Sequence, residues 1–363
     1  MTAAHLKWAR RSWRVAAGSA ALLLLVIGGT IALSLHLWAS IPYRGYGAST
    51  ALVEIPAGAH IRQTLAILED RGIVRRFPLA LVYLRLTRRA EGIKTGEYAF
   101  ARPMTPREVF DKIIRGDVHH HRVTILEGSR AAEVFEAFVR AGFGPVEEFV
   151  EAFRDTTPIR GLDDEAVDLE GYLFPDTYSL AKGTTPRAIV ALMVARFKEV
   201  FGPEGIAAAR ARDLTVRQVV TLASLVERET ARPDEDRLVA SVFTNRLRRG
   251  MRLQCDPTVI YAMAMRNLYD GNIRKRDLSI DSLYNTYLYA GLTPGPIGSP
   301  SASALRAAVE PAETEYLYFV SMNTGRHYFS RTLDEHNRAV WEYQKKPYRL
   351  RQLARSKRAQ RGN

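Results

Sequence analysis

The chain holds 363 residues, 47% hydrophobic and 25% charged, with a formal net charge of +13, and its length and apolar content exclude a disordered chain while allowing two or more packed domains. The positive charge sits at the ends: Lys7, Arg10, Arg11 and Arg14 precede the first acid, and eight basic residues from Lys345 to Arg361 follow the last. A near-neutral body excludes a nucleic-acid partner, which needs a basic stripe on a folded face; a basic tail solubilises or touches anionic lipid instead.

Between Arg14 and Arg44 there is no Lys, Arg, Asp or Glu, and AALLLLVIGGTIALSLHLWA supplies the ~20 apolar residues that a bilayer crossing needs. A cleaved signal would carry an apolar region of only ~7 to 15 residues before a small-residue cleavage site. Trp38 and Tyr43 fall where an interfacial aromatic belt would lie. The expectation is a cytoplasmic N-terminus over 1–14, a retained transmembrane anchor over 15–40 and everything beyond it outside, because the basic residues cluster before the span.

Residues 41–50, IPYRGYGAST, read as a tether. A small domain is expected over 51–121. It has a strand at ALVEIPAG, helices at IRQTLAILEDRG and PLALVYLRLTRRA, and a strand at TGEYAF with Tyr98 and Phe100 on one face. A further helix follows in MTPREVFDKIIRG, bounded by a Thr105 cap, Pro106, a capping-box Glu108 and a Gly116 stop. In the next run His119 and His121 share one strand face, but with no acid or cysteine nearby they read as a solvated polar edge. Cys255 is alone and the eight histidines are scattered, so neither a disulfide nor a metal site is expected.

From 122 to 345 helices alternate with short strands, among them RAAEVFEAFVRAG, VEEFVEAFRD and TPRAIVALMVARFKEVFG. YLYFVS and RHYFS flank MNTG as a β-hairpin, and LDEHNRAVWEYQKK closes the domain as a helix before a basic tail over 346–363 that is expected to fray. The class is α+β: an anchor helix, a small domain and a larger mixed α+β domain.

The stretch TLASLVERETARPDEDR sets two glutamates two positions apart at the end of a mostly apolar helix. Thr215 and Gln218 form a capping box, so that helix begins near 216, and Pro233 bounds it. Arg217, Thr221, Ser224 and Arg228 make one polar stripe on it. At ~100° per residue Glu227 and Glu229 lie on opposite flanks of the stripe, ~200° apart. Ordinary glycoside hydrolases need two carboxyls ~5 to 9.5 Å apart across one sugar, so this pair does not fit, whereas a single acid/base does. Glu229, on an apolar flank at the negative helix end, is the better candidate for a raised pKa. The plain alternative pairs both glutamates with Arg228, Arg232 or Arg237 on a solvated face.

LASLVERETA, VASVFTNRLRRGMRLQCDPTVIYAM, YNTYLYAGLTPGPIGSPS and LEGYLFPDTY, in that combination, resemble the endolytic murein transglycosylase, or YceG-like, family over nearly the whole chain. The resemblance implies a LysM-like small domain and a catalytic region. It also implies cleavage of the β-1,4 bond between N-acetylmuramic acid (MurNAc) and N-acetylglucosamine (GlcNAc) within nascent glycan strands, leaving a 1,6-anhydro-MurNAc end. The second glutamate of the family's E-x-E-T run falls on Glu229, which becomes the catalytic residue, with Glu227 orienting or bracing it. Gln254 is in a position to reach a sugar hydroxyl; Tyr284 and Tyr287 have two equal readings, stacking on sugar faces with Asn285 bonding an acetamido group, or buried tyrosines around a rigid loop. Asp256 before Pro257 reads first as a helix cap, and Asp176 in FPDTY as a turn residue. Cys255 stands where the family usually has Thr or Ser, so a bond from that position is in question and the thiol is expected to pack. No cofactor is implied. The implied setting is a single pass of the inner membrane with the bulk in the periplasm, glycan strands as substrate and peptidoglycan synthases as neighbours. The principal alternative is a non-catalytic peptidoglycan-binding scaffold.

Overall fold

The computed structural model describes residues 3–230 and 232–349, the side chains of 3–12 and 14–16 excepted. The basic side chains expected before residue 15 and the tail beyond 349 therefore lie outside the described residues. The fold is mixed α/β and divides into two compact units, one of 1–121 with 180–183, the other of 122–179 with 184 onward.

The first unit begins with α1 (Ala3–Ser40), followed by β1 (Ala51–Ile55), α2 (Ile61–Asp70), α3 (Phe77–Leu86), β2 (Gly96–Phe100) and α4 (Pro106–Arg115). Within α1, Ala17–Ser40 has a mean hydropathy of 2.2 and is long and apolar enough to cross a membrane by length and composition. Its last turns bury Leu35, Trp38 and Ala39 against the unit. Trp38 was expected in an interfacial belt; instead it meets the Tyr83 ring edge-on at 5.9 Å and donates its indole N–H to the Arg75 carbonyl at 3.1 Å. An indole needs an apolar bed and one acceptor, and this unit offers both. The expected tether is likewise stitched down: Tyr43 N–H donates to Met104 O at 2.9 Å and Gly45 N–H to Gly72 O at 2.8 Å.

β1 and β2 pair antiparallel, Val53 opposite Tyr98 and Glu54 opposite Glu97. Val53, Ile55, Tyr98 and Phe100 face α2 to α4, where Leu65, Leu68, Leu84, Phe110 and Ile113 complete the core. Thr105 and Glu108 form the expected reciprocal cap, and Gly116 ends α4 in the left-handed conformation at φ 75°. The strand β3 (His120–Thr124) follows. The expectation that His119 and His121 lack an acid neighbour is corrected here: Glu97 reaches them from β2, its Oε2 2.7 Å from His121 Nε2. Strand pairing, not sequence proximity, supplies that acid.

The second unit contains α5 (Ala131–Arg140), α6 (Val146–Arg154), the first three residues of β4 (Thr177–Ala181), α7 (Pro186–Arg210), α8 (Val216–Glu229), α9 (Asp236–Arg248), α10 (Asp256–Ala264), α11 (Ala302–Val309), β5 (Tyr318–Ser321), β6 (His327–Ser330) and α12 (Leu333–Val340). The described strands form three two-stranded sheets, β1–β2, β3–β4 and β5–β6. Beyond its expected stop at Gly202, α7 resumes: Gly202 (φ 56°, ψ −177°) breaks the run and Pro203 starts a second helix. The closing helix widens into a π turn at Trp341–Lys345, and helix continues through 346–349, where fraying was expected. At the centre stands α8, packed by α7, α9, α10 and α11, with every residue from Val219 to Val226 buried.

Candidate active site

The α8 helix starts as its sequence dictates, with Thr215 Oγ1 accepting from Gln218 N–H and the Gln218 amide accepting from Thr215 N–H. Its polar stripe is the seat of the Pro/Gly-rich loop 294–301. Arg217 Nη1 donates to Pro294 O at 3.1 Å, Ser224 Oγ accepts from Ile297 N–H at 3.0 Å, and Glu227 Oε2 accepts from Ser301 N–H at 2.9 Å. Arg228 caps the far side through Gly128 O at 3.1 Å, and Gly128 N–H in turn donates to Ser299 O at 2.8 Å. Packing is tight where LEGYLF meets this loop: a Cβ on Gly171, which sits at φ 84°, would lie 2.5 Å from Pro296 Cβ.

The two glutamates have different surroundings, as their flanks require. Glu227 reaches Ser301 just before α11, and burial raises its pKa. Glu229, the last residue of α8, faces the start of α10, where the Cys255 thiol hydrogen-bonds its carboxyl. Burial, against the partial relief of that bond, pushes Glu229 up to about 7, helped by the nearby Asp256 carboxylate and opposed by Arg246. The arginines of the plain alternative go elsewhere: Arg228 to Gly128 O, Arg232 to Asp234 and Arg237 to Glu310 O.

The expected companions divide into two neighbourhoods. Beside Glu229 lie Cys255, Asp256 and Tyr287. Asp256 is the first residue of α10 and not its cap; its exposed carboxylate accepts from the Tyr287 hydroxyl at 2.5 Å. A carboxylate close to Glu229 thus comes from Asp256 and not from its helix neighbour Glu227. The Cys255 thiol does more than pack, since it bonds the acid, and its pKa is raised by burial and by Glu229. Gln254 is exposed in the left-handed region at φ 51°, its N–H donating to Thr286 O at 3.1 Å. Such strain in a non-glycine residue is sustained only by its surroundings.

Tyr284 lies in the other neighbourhood, its ring 4.9 Å from Tyr261. Tyr261 donates to the buried Glu170, which also accepts from Ala131 N–H at 3.1 Å. Asn285 is fully buried, both amide N–H groups donating to Leu278 O and Ile280 O and its carbonyl accepting from Tyr287 N–H. Enclosed and committed to backbone groups, Asn285 braces the loop and is not open to the expected acetamido contact. Asp176, read as a turn residue, also pairs with Arg196 at 2.9 Å.

Three residues were missed. Arg246 is 8% exposed, its pKa lowered by burial, and it ties Leu317 O, Leu253 O and Arg252 O together beside Glu229. Its signal was an arginine on the apolar helical face of Val239, Val242 and Phe243. Thr286 is buried, its hydroxyl accepting from Cys255 N–H at 3.0 Å and lying 2.9 Å from that of Thr258. Glu170, enclosed in the apolar run LEGYLF, is pushed by burial to about 8.

A near-neutral carboxyl can give a proton at neutral pH and take one back, and this mixed α/β fold holds two of them, the half-buried Glu229 and the buried Glu170. A chain from Bacillus subtilis (strain 168) described as endolytic murein transglycosylase is 30% identical over 338 residues, 88% of this chain and 91% of the relative. One of the same description from Streptococcus pneumoniae serotype 2 (strain D39) is 28% identical over 356 residues, 89% of this chain but 63% of the longer relative. The crystal structure of a YceG-like protein from Listeria monocytogenes superposes with a TM-score of 0.56 at 29% identity, over 80% of this chain and 98% of that one. The YceG-like family model matches residues 53–342. The chain belongs to the YceG-like family.

Proposed function

We propose that this chain is a membrane-anchored lytic transglycosylase that cuts the MurNAc–GlcNAc β-1,4 bond endolytically in nascent peptidoglycan and so terminates strand elongation. The observation that carries this reading is Glu229, whose carboxyl burial pushes to about 7 and which a thiol and a buried arginine surround. In the first step Glu229 gives its proton to the bridging oxygen as the C1–O bond breaks and the GlcNAc hydroxyl leaves. The resulting carboxylate takes the proton from the muramyl C6 hydroxyl as that oxygen bonds C1, which closes the 1,6-anhydro ring and restores the acid. No water is consumed. The Asp256 carboxylate and the sugar's own N-acetyl group are placed in chemistry to stabilise the oxocarbenium charge. Gln254, Asp256 and Tyr287 are the sugar-facing residues of this reading, while Glu227, Tyr284 and Asn285 shape the loop behind them.

In the same reading, residues 15–40 anchor the chain in the inner membrane with the N-terminus in the cytoplasm. Residues 51–121 form a LysM-like unit that holds glycan, 122–345 form the periplasmic catalytic domain, and synthases are the neighbours. The β1–α2–α3–β2 order supports the LysM likeness, and the apolar stretch of α1 supports the anchor.

The proximity of Asp256 to Glu229 also favours a second reading, hydrolysis by an ordinary muramidase. Incubating the chain with purified glycan strands and weighing the products separates the two. Anhydro ends support the lyase; products heavier by one water per cut support hydrolysis; uncut strands support a scaffold and sink both.

A further inference from the structure

We propose that the small unit carries a site for a divalent transition metal ion, of the zinc or copper class, formed by Glu97, His119 and His121. One donor atom from each lies within 4.8 Å of the other two. The sequence builds the cluster from two strands. Glu97 alternates with Tyr98 and Phe100 along β2, and His119, just before β3, brings its ring to that of His121, 4.9 Å away and edge-on. The His119 N–H donates to Glu97 O at 2.6 Å, which fixes the register between β2 and the histidines. His120 points elsewhere, its Nδ1 3.1 Å from Val118 O.

Two imidazoles and one carboxylate are a common zinc ligand set, with metal–donor distances of ~2.0 to 2.2 Å. Donors around such an ion lie ~3.3 Å apart. The Glu97–His121 pair, hydrogen-bonded at 2.7 Å, would open by about 0.6 Å to reach that spacing as the ion replaces the shared proton, and all three donors start within 4.8 Å of one another. The local charge points the same way. Glu54 and Glu97 stand directly opposite in the β1–β2 register, and like charges so placed repel. Lys182 meets part of this, 2.7 Å from Glu54 and 3.7 Å from Glu97 Oε1, on the oxygen that His121 does not use. The Glu97 oxygen facing the histidines is the one a metal would share. A bound ion would clamp β2 to the start of β3 and stabilise the folded unit by mass action.

The test uses the full chain in detergent, titrated with zinc chloride against a chromophoric chelator. Thermal unfolding is followed in parallel, and circular dichroism checks that each variant is folded. One equivalent should bind, and His119→Ala, His121→Ala and Glu97→Gln should each weaken it at least tenfold. His120→Ala, in the same run but outside the cluster, should leave it unchanged. Zinc should raise the unfolding midpoint of the parent and of His120→Ala but not of the His119→Ala/His121→Ala double variant. Absence of stoichiometric uptake overturns the proposal. So does equal weakening by all three histidine variants, which would mark the run as a nonspecific polyhistidine tract.

Discussion

The Cys255 thiol donates a hydrogen bond to the Glu229 carboxyl, and the two act on each other in opposite senses: the bond eases ionisation of Glu229, while Glu229 holds the thiol protonated. Burial sets the acid's working range, and a weak donor trims it. Replacing that donor tests the arrangement. Cys255→Ser, with a stronger O–H donor, should favour the carboxylate and move the falling limb of the pH profile of kcat/KM to lower pH; Cys255→Ala should move it to higher pH. Identical limbs in both variants would show that the bond does not tune the acid.

Glu229→Gln should abolish glycan cutting and yet stabilise the fold at alkaline pH. The folded-state pKa lies above the ordinary 4.5, so the proton-linked stability is complete below about 4.5 and is lost as pH rises through about 7. At ~1.4 kcal/mol per unit, the ionised carboxylate costs up to about 3 kcal/mol above that range, less what solvent at its open side returns. Chemical denaturation at pH 5 and at pH 8.5 measures this: the variant should gain on the parent only at the higher pH.

Glu227→Ala leaves the Ser301 N–H without its acceptor and should cost about 1 to 3 kcal/mol in urea unfolding. Glu227→Gln keeps an acceptor oxygen and should recover most of that. Both should cut glycan more slowly than the parent while retaining activity, in contrast to Glu229→Gln; a dead Glu227→Gln with an active Glu229→Gln would reverse the assignment.

Gly171→Ala should destabilise the second unit by more than about 2 kcal/mol, because the added methyl meets Pro296 and Val220 at 2.5 and 2.8 Å and φ is 84°. The loop 294–301 would have to shift, so activity should fall even where the protein still folds. Unfolding midpoints and cutting rates, measured together, check both.

The boundaries of α4 and α8 could be read from the chain because their caps are local: each side-chain acceptor lies within three residues of its donor. The opposite flanks of Glu227 and Glu229 followed from helix period alone, and their different partners agree. The partners themselves were not readable. Ser301 lies 74 residues from Glu227, and Tyr287 lies 31 from Asp256, distances at which only the assembled fold decides who meets whom. The same holds for Glu97, which comes to the histidines through strand pairing. Arg246 and Glu170 were masked for a related reason: a charge among apolar residues reads as a break in a pattern until its burial is known.

The last turns of α1 are part of the first unit's core, through Leu35, Trp38 and Ala39. Helix and unit therefore turn together. One residue inserted upstream, between Ala17 and Leu35, would leave every contact in that core intact but swing the unit about the helix axis by ~100° relative to the inserted stretch's other end. Four inserted residues would bring it nearly back to phase. If α1 lies in a bilayer, a ladder of such insertions becomes a compass, reading from activity alone which bearing of the small unit the glycan requires.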